Sequence, residues 1–334
     1  MEPGTAQWLA QVHEDVVDPE QRIVDPHHHL WPPGGSLPYG LDELHADTAD
    51  GHRVEATVFI ECGAAYRDSG PEELRPVGET EFVAAAARAS VEAGPGRAEI
   101  RGIVAYADLR REGLDEVLDA HASAGGPLFK GIRHRGAHDP DPASLGRQRA
   151  QAPPELFADP RFRAGVARLG PRGLTFDGWH YHHQNRQFED LAAAVPGTTM
   201  VLDHFGGPLG LGRFAGRRDE VYEQWRDDIT AIARHPNVVA KLGGMAMPVN
   251  GFGWDRRDRP ATSDEVVEAQ ARYYHHAIEQ FGPQRCMFES NFPMDRYSMS
   301  YRVLWNAMKK LAARYSPAER DQLFFGTAER TYRL

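Results

Sequence analysis

Eight short apolar runs, most of them separated by a segment of helical period, constrain this chain more tightly than any other feature. The runs cover residues 23–29, 56–62, 100–107, 128–133, 174–182, 199–204, 238–242 and 286–289. Each is rich in Val, Ile or Phe and bounded by Gly, Pro or charge, which is how strands buried on both faces read. Helical spacing fills 81–93, 114–122, 160–169, 188–195, 219–234 and 264–281, while the first crossover, 42–52, is short and flanked by Pro and Gly. Asp159 before Pro160 and Ser316 before Pro317 are N-cap pairs, and Ser316 with Glu319 forms a capping box. Strict β-then-α order predicts a parallel sheet, and eight strands close a barrel. The expectation is a single-domain (β/α)8 barrel over residues 23–334 with long strand-to-helix loops, preceded by an N-terminal extension, 1–22. An open doubly wound sheet is the alternative; it would place a phosphate-cradling glycine loop after the first strand, where this chain has histidines. The glycines of 206–216 match neither a dinucleotide fingerprint nor a P-loop.

A length of 334 residues suits one such barrel. With 38 Lys and Arg against 48 Asp and Glu, the net charge of −10 repels phosphate backbones and anionic lipid, so nucleic acid is not an expected partner. No stretch reaches the ~18 apolar residues of a membrane span. The first 20 residues carry Glu14, Asp15, Asp18 and Glu20 and no apolar run, unlike a signal peptide. Two cysteines, Cys62 and Cys286, build no disulfide framework. These features point to a cytoplasmic protein acting on a small molecule, with a homo-oligomer left open.

Of 16 histidines, eight (27, 28, 29, 134, 180, 182, 183 and 204) fall at the C-terminal ends of strands one, four, five and six. Barrel enzymes carry their catalytic groups on that rim. Side-chain alternation groups Asp25, His27 and His29 on one face and sends His28 to the other. On strand five, His180, His182 and Gln184 share a face, as do Tyr181 and His183, and either set can line the mouth. Asp203-His204 ends strand six, where packing alone explains a histidine poorly. Three imidazoles with an open fourth position are what a catalytic zinc requires, oriented by carboxylates such as Asp25 or Asp203. The structural alternative is a set of satisfied histidines stacked on Trp31.

At six places in order the sequence resembles the amidohydrolase-2 family of the amidohydrolase superfamily, which includes sugar lactonases and pyrone-dicarboxylate lactonase. The matching stretches are IVDPHHHLW at 23–31, FKGIRH at 129–134, FD at 176–177, VLDHFG at 201–206, KL at 241–242 and MFESNFP at 287–293. The resemblance implies metal or catalytic roles for His27, His29, a strand-five histidine (His182, or His183 in the other register) and His204, and a divalent metal, zinc or manganese. It also implies an aspartate at the end of strand eight, where this chain has Asn291. An amide cannot take a proton from water, so Asn291 is left to orient substrate or water, and a metal-independent site stays open. Glu289, two residues earlier on the same face, is the first candidate for general base, with Asp295 second. The alternative for Glu289 is a buried ion pair with Lys241 or Lys130.

Substrate-binding candidates are Arg133, a planar fork suited to a carboxylate, together with Glu61, His134, His180, Trp31 and Trp179. Trp254 is a third ring that could wall a pocket. Loops 32–40, 136–154 and 243–260 have the Gly and Pro content of lids. The residues alone imply a polarised carbonyl; the resemblance makes it a lactone of a small anionic molecule. A decarboxylase or hydratase of the same superfamily, and a non-catalytic binding barrel, are the alternatives.

Overall fold

The computed structural model describes residues 1–35, 37–146 and 151–334. Residue 36, in the first expected lid, and residues 147–150, in the second, lie outside the described residues. Eight strands run in chain order: β1 Arg22–His28, β2 Arg53–Ile60, β3 Glu99–Ala105, β4 Phe129–Arg133, β5 Thr175–Gly178, β6 Met200–Leu202, β7 Val238–Leu242 and β8 Cys286–Phe288. Each pairs in parallel with the next. The ring closes where His28 bridges Phe292, with His29 N donating to Phe292 O (2.8 Å) and Asn291 N to His27 O (2.9 Å). This is the expected (β/α)8 barrel rather than an open sheet.

The α-helices are α1 Ala6–Leu9, α2 Leu41–Thr48, α3 Val77–Glu92, α4 Leu114–Gly125, α5 Pro160–Ala167, α6 Asn185–Ala194, α7 Arg218–Ile232, α8 Ser263–Phe281, α9 Tyr301–Ala312, α10 Pro317–Asp321 and α11 Thr327–Tyr332. The caps form as the sequence predicts: Asp159 accepts from Arg161 N at 2.8 Å, and Ser316 and Glu319 cap each other. None of these helices is long and apolar enough to cross a membrane. The segment before β1 is pinned to the barrel wall. Trp8 is fully buried and donates to Arg257 O, and Glu14 accepts from Ser263 and Asn306.

Six of the eight strands end sooner than the sequence suggests, β5 by the most. Strand five stops at Gly178, paired with Leu202, rather than continuing to His182. Beyond Leu202 the backbone of β6 turns sharply, with His204 and Phe205 both left-handed (φ 52° and 58°), so the β5–β6 ladder ends at the Gly178–Leu202 pair, and beyond it Trp179 O accepts from Gly136 N and His182 N donates to Gly207 O. The lower barrel interior is apolar. Val24, Val58, Val104, Val201 and Met287 meet Phe325, Ala328 and Tyr332, which fill it from the C-terminal helices.

His28 faces away from the barrel interior, fully buried against Phe59, and neither ring nitrogen has a hydrogen-bond partner. Burial pushes its imidazole down to about 3. The folded state therefore keeps it neutral while the unfolded chain protonates below about 6.5. The contribution is fully present above that value and is lost as pH falls toward 3. His28→Leu should gain about 1 kcal/mol at pH 7 by removing an unsatisfied polar group. Its advantage over the wild type should widen by about 1.4 kcal/mol per unit between about pH 6 and pH 4. Urea unfolding at pH 7 and pH 5 measures both.

Candidate active site

The first strand does not alternate strictly. Between Asp25 and His28 it carries one residue more than β2 does between Thr57 and Phe59, a bulge at Pro26, which has no N–H to offer the ladder. The Asp25 carboxylate is thereby turned away from the His27 ring and reaches only His27 N, at 3.4 Å. Its carboxylate accepts from Ser290 N (2.9 Å) and Tyr301 Oη (3.0 Å), and burial pushes it up to about 6. The expected shared face of Asp25, His27 and His29 is thus reduced to the two histidines.

His27 points into the barrel and meets Glu289 and His204. Glu289 Oε1 lies 2.6 Å from His204 Nδ1, and Oε2 lies 2.8 Å from His27 Nδ1. One ligand atom from each of the three residues falls within 4.8 Å of the other two, and all three residues are buried. Two glycines permit this approach. A Cβ on Gly243 would stand 2.5 Å from Glu289 Cγ, and one on Gly244 (φ 64°) would stand 2.0 Å from His204 Nδ1.

Beneath the triad lies a layer of buried charge. Lys241 Nζ is 2.9 Å from Asp177, 3.3 Å from Asp203 and 3.4 Å from His27 Nδ1. Asp177 also accepts from Thr175 (2.8 Å) and Tyr332 Oη (2.5 Å). Burial opposes charge on all of them. Even so, Lys241, His204 and Arg133 hold the Asp203 carboxyl below its ordinary range, and Asp177, Asp203 and Glu289 keep Lys241 raised. Burial, followed by the Lys241 charge, pushes His27 well down and leaves a neutral imidazole.

Above the triad a pocket of about 150 Å³ opens between Trp31 and Trp179, with His29, His204, Arg133 and Asn291 on its walls. His29 lies outside the 4.8 Å group. Its Nδ1 sits 2.8 Å from Ile60 O, so that nitrogen carries the proton and Nε2 keeps its lone pair. Asn291 Nδ2 donates to Asp295 Oδ1 (3.0 Å). Burial pushes the Asp295 carboxyl up to about 7, and Ala246 N approaches its other oxygen at 3.3 Å.

Several residues singled out in the sequence are held elsewhere. His180 stacks on Phe188 and bonds Asn185 at 2.9 Å, and His182 accepts from Leu209 N and packs on Phe214. Neither reaches the triad, because strand five has already ended. His183 bonds His138 O. The strand-five place facing the interior belongs to Asp177, whose only signal in the sequence was its matching dipeptide. Arg133 is not a free fork: it donates to Glu61 Oε1 (2.8 Å) and to Glu61 O, and stands 3.7 Å from Asp203. Glu61 is committed to the same pair. His134 accepts from Leu109 N, Lys130 donates to Arg333 O at the far end of the barrel, and Trp254 is buried against Phe252. Sequence reasoning missed Arg135, which lines the pocket mouth beside Trp179.

The model of the family described as amidohydrolase matches residues 24–334. The chain is 31% identical to an uncharacterized protein, y4mH, of Sinorhizobium fredii, with 93% of this chain and 98% of that one covered. It is 28% identical to an L-fucono-1,5-lactonase of Burkholderia multivorans, over 81% of this chain and 88% of the relative. Among solved structures, an amidohydrolase from Burkholderia multivorans with bound zinc superposes with a TM-score of 0.70 at 26% identity, covering 93% and 99% of the two chains.

Proposed function

The chain belongs to the amidohydrolase family and is an enzyme of hydrolase type, and on that premise we propose that it opens the ring of a lactone, with a divalent metal held by His27, His204 and Glu289. The observation that carries this reading is the buried His27–Glu289–His204 group lying directly under a pocket. Its polar atoms fit a cation. Oε2 of Glu289 is buried without a hydrogen bond, although His27 Nδ1 stands 2.8 Å away, a costly arrangement unless positive charge is near. The lactonase-named and zinc-bound Burkholderia relatives support the substrate class and the metal.

A zinc or manganese ion at that group would polarise the ester carbonyl and favour ionisation of a bound water. The chain's own residues do the rest. Trp31, Trp179, Met247 and Met294 exclude bulk water from the pocket. Arg133, its charge fixed against Glu61, faces the negative charge that develops on the carbonyl oxygen. Asn291, with Nδ2 spent on Asp295, presents Oδ1 to orient the attacking water. His29 Nε2 accepts the water's proton as the new C–O bond forms, then returns it to the ring oxygen as the old C–O bond breaks. Glu289, the first base candidate in the sequence, takes the ligand's part in this scheme, and Asp295 acts through Asn291.

The test is a panel of sugar 1,5-lactones and simple δ-lactones followed by a pH indicator, using protein loaded with zinc or manganese. Turnover should vanish on chelation and return with added metal. Turnover by protein with no measurable metal would replace this scheme by direct polarisation. Carbon dioxide release from aromatic acids without ring opening would replace it by decarboxylation.

A further inference from the structure

Beside the pocket over the triad lies a second chamber of about 330 Å³, and the two share Cys62 and Arg135 on their walls. Its charged groups are matched with one exception. Glu61 is paired with Arg133 at 2.8 Å and Arg110 with Asp108 at 2.9 Å. His134 is neutral, because burial pushes its imidazole down to about 4. Arg135 alone among these forms no hydrogen bond or ion pair with the described residues, and its Nε is buried without a partner. Its guanidinium lies 4.9 Å from the centre of the Trp179 ring, which fixes its place on the wall both chambers share. The hydroxyls of Tyr66 and Tyr106, which line the same chamber, likewise have no partner among the described residues.

A partly buried cation without a counter-charge, in a chain with ten excess negative charges, is a standing cost unless a ligand completes it. We infer that Arg135 is the specificity residue for a carboxylate on the substrate, whose lactone ring sits over the triad while the acid group reaches into the second chamber. This rests on the reading that the pocket over the triad is where the ring is opened. One uncommitted guanidinium flanked by two phenols matches the single charge of a carboxylate; a phosphate dianion would call for a second free cation. Arg133, the fork that the sequence nominates for this task, is already spent on Glu61.

Three compounds test the assignment on zinc-loaded wild type, Arg135→Gln and Arg135→Lys. In kinetics, δ-valerolactone is compared with its 6-carboxylate. The KM for the carboxylate should rise in Arg135→Gln at least about tenfold more than the KM for the parent lactone, with kcat changing far less, and Arg135→Lys should recover most of the loss. In calorimetry, tetrahydropyran-2-carboxylate, which has no ester to open, should bind the wild type at least about tenfold more tightly than Arg135→Gln. No binding to the wild type, or equal affinity in Arg135→Gln, overturns the assignment. If neither lactone is opened while the carboxylate still depends on Arg135, lactone hydrolysis falls and the anion site stands.

Discussion

Glu289→Gln should empty the site of metal and lower lactone turnover by about a thousandfold. The carboxylate is fully buried between two imidazoles, 2.6 Å from His204 and 2.8 Å from His27. Glutamine has nearly the same shape, but it brings no negative charge and places an NH2 group where a lone pair is wanted. Loss of the Lewis acid removes several kcal/mol of transition-state stabilisation, and roughly 4 kcal/mol corresponds to that thousandfold. Metal per chain after dialysis and kcat/KM on the best lactone give the two readings. Metal retained at one per chain with turnover within tenfold of wild type would dismiss Glu289 as a ligand. The fold itself should survive, because Lys241 and Arg133 keep their other partners.

The second large effect concerns Lys241→Met, which keeps an unbranched side chain one atom shorter and removes its charge. Asp177 and Asp203 would then face each other in the barrel interior without the ammonium now 2.9 and 3.3 Å away. Breaking one side of a buried ion pair costs about 3–5 kcal/mol, most of it from the stranded charge. Stability from urea unfolding at pH 7 should fall by that amount. The double variant Lys241→Met, Asp177→Asn should regain part of it, because one stranded carboxylate is gone. Equal losses in the single and double variants would contradict the pairing.

The barrel was legible because its signal is local: each strand declares itself by a run of apolar residues and each helix by its period. His27 was legible for the same reason. Strand ends were not, because where β5 stops depends on the left-handed turn at His204 in its neighbour, which no window around His182 contains. The bulge at Pro26 likewise separated Asp25 from His27, although simple alternation placed them together. Glu289 could be found because it stands one inward step before Asn291, the residue that departs from the family pattern. Arg133 showed its fork in the sequence but not its occupant, since Glu61 lies 72 residues away. Arg135 carried no signal of its own. A cation becomes conspicuous only when every neighbour is seen to be paired and it is not.

Tyr332 seals the charged layer by donating to Asp177 across 155 residues of chain. A growing polypeptide on the ribosome thus carries an incomplete barrel floor until Tyr332 has emerged. Vectorial synthesis cannot settle the strands one by one into their final interior before α11 arrives. Chains stalled in translation would present an unfilled apolar floor to the cell's chaperones, and a fusion joined closely behind α11 would meet the same constraint.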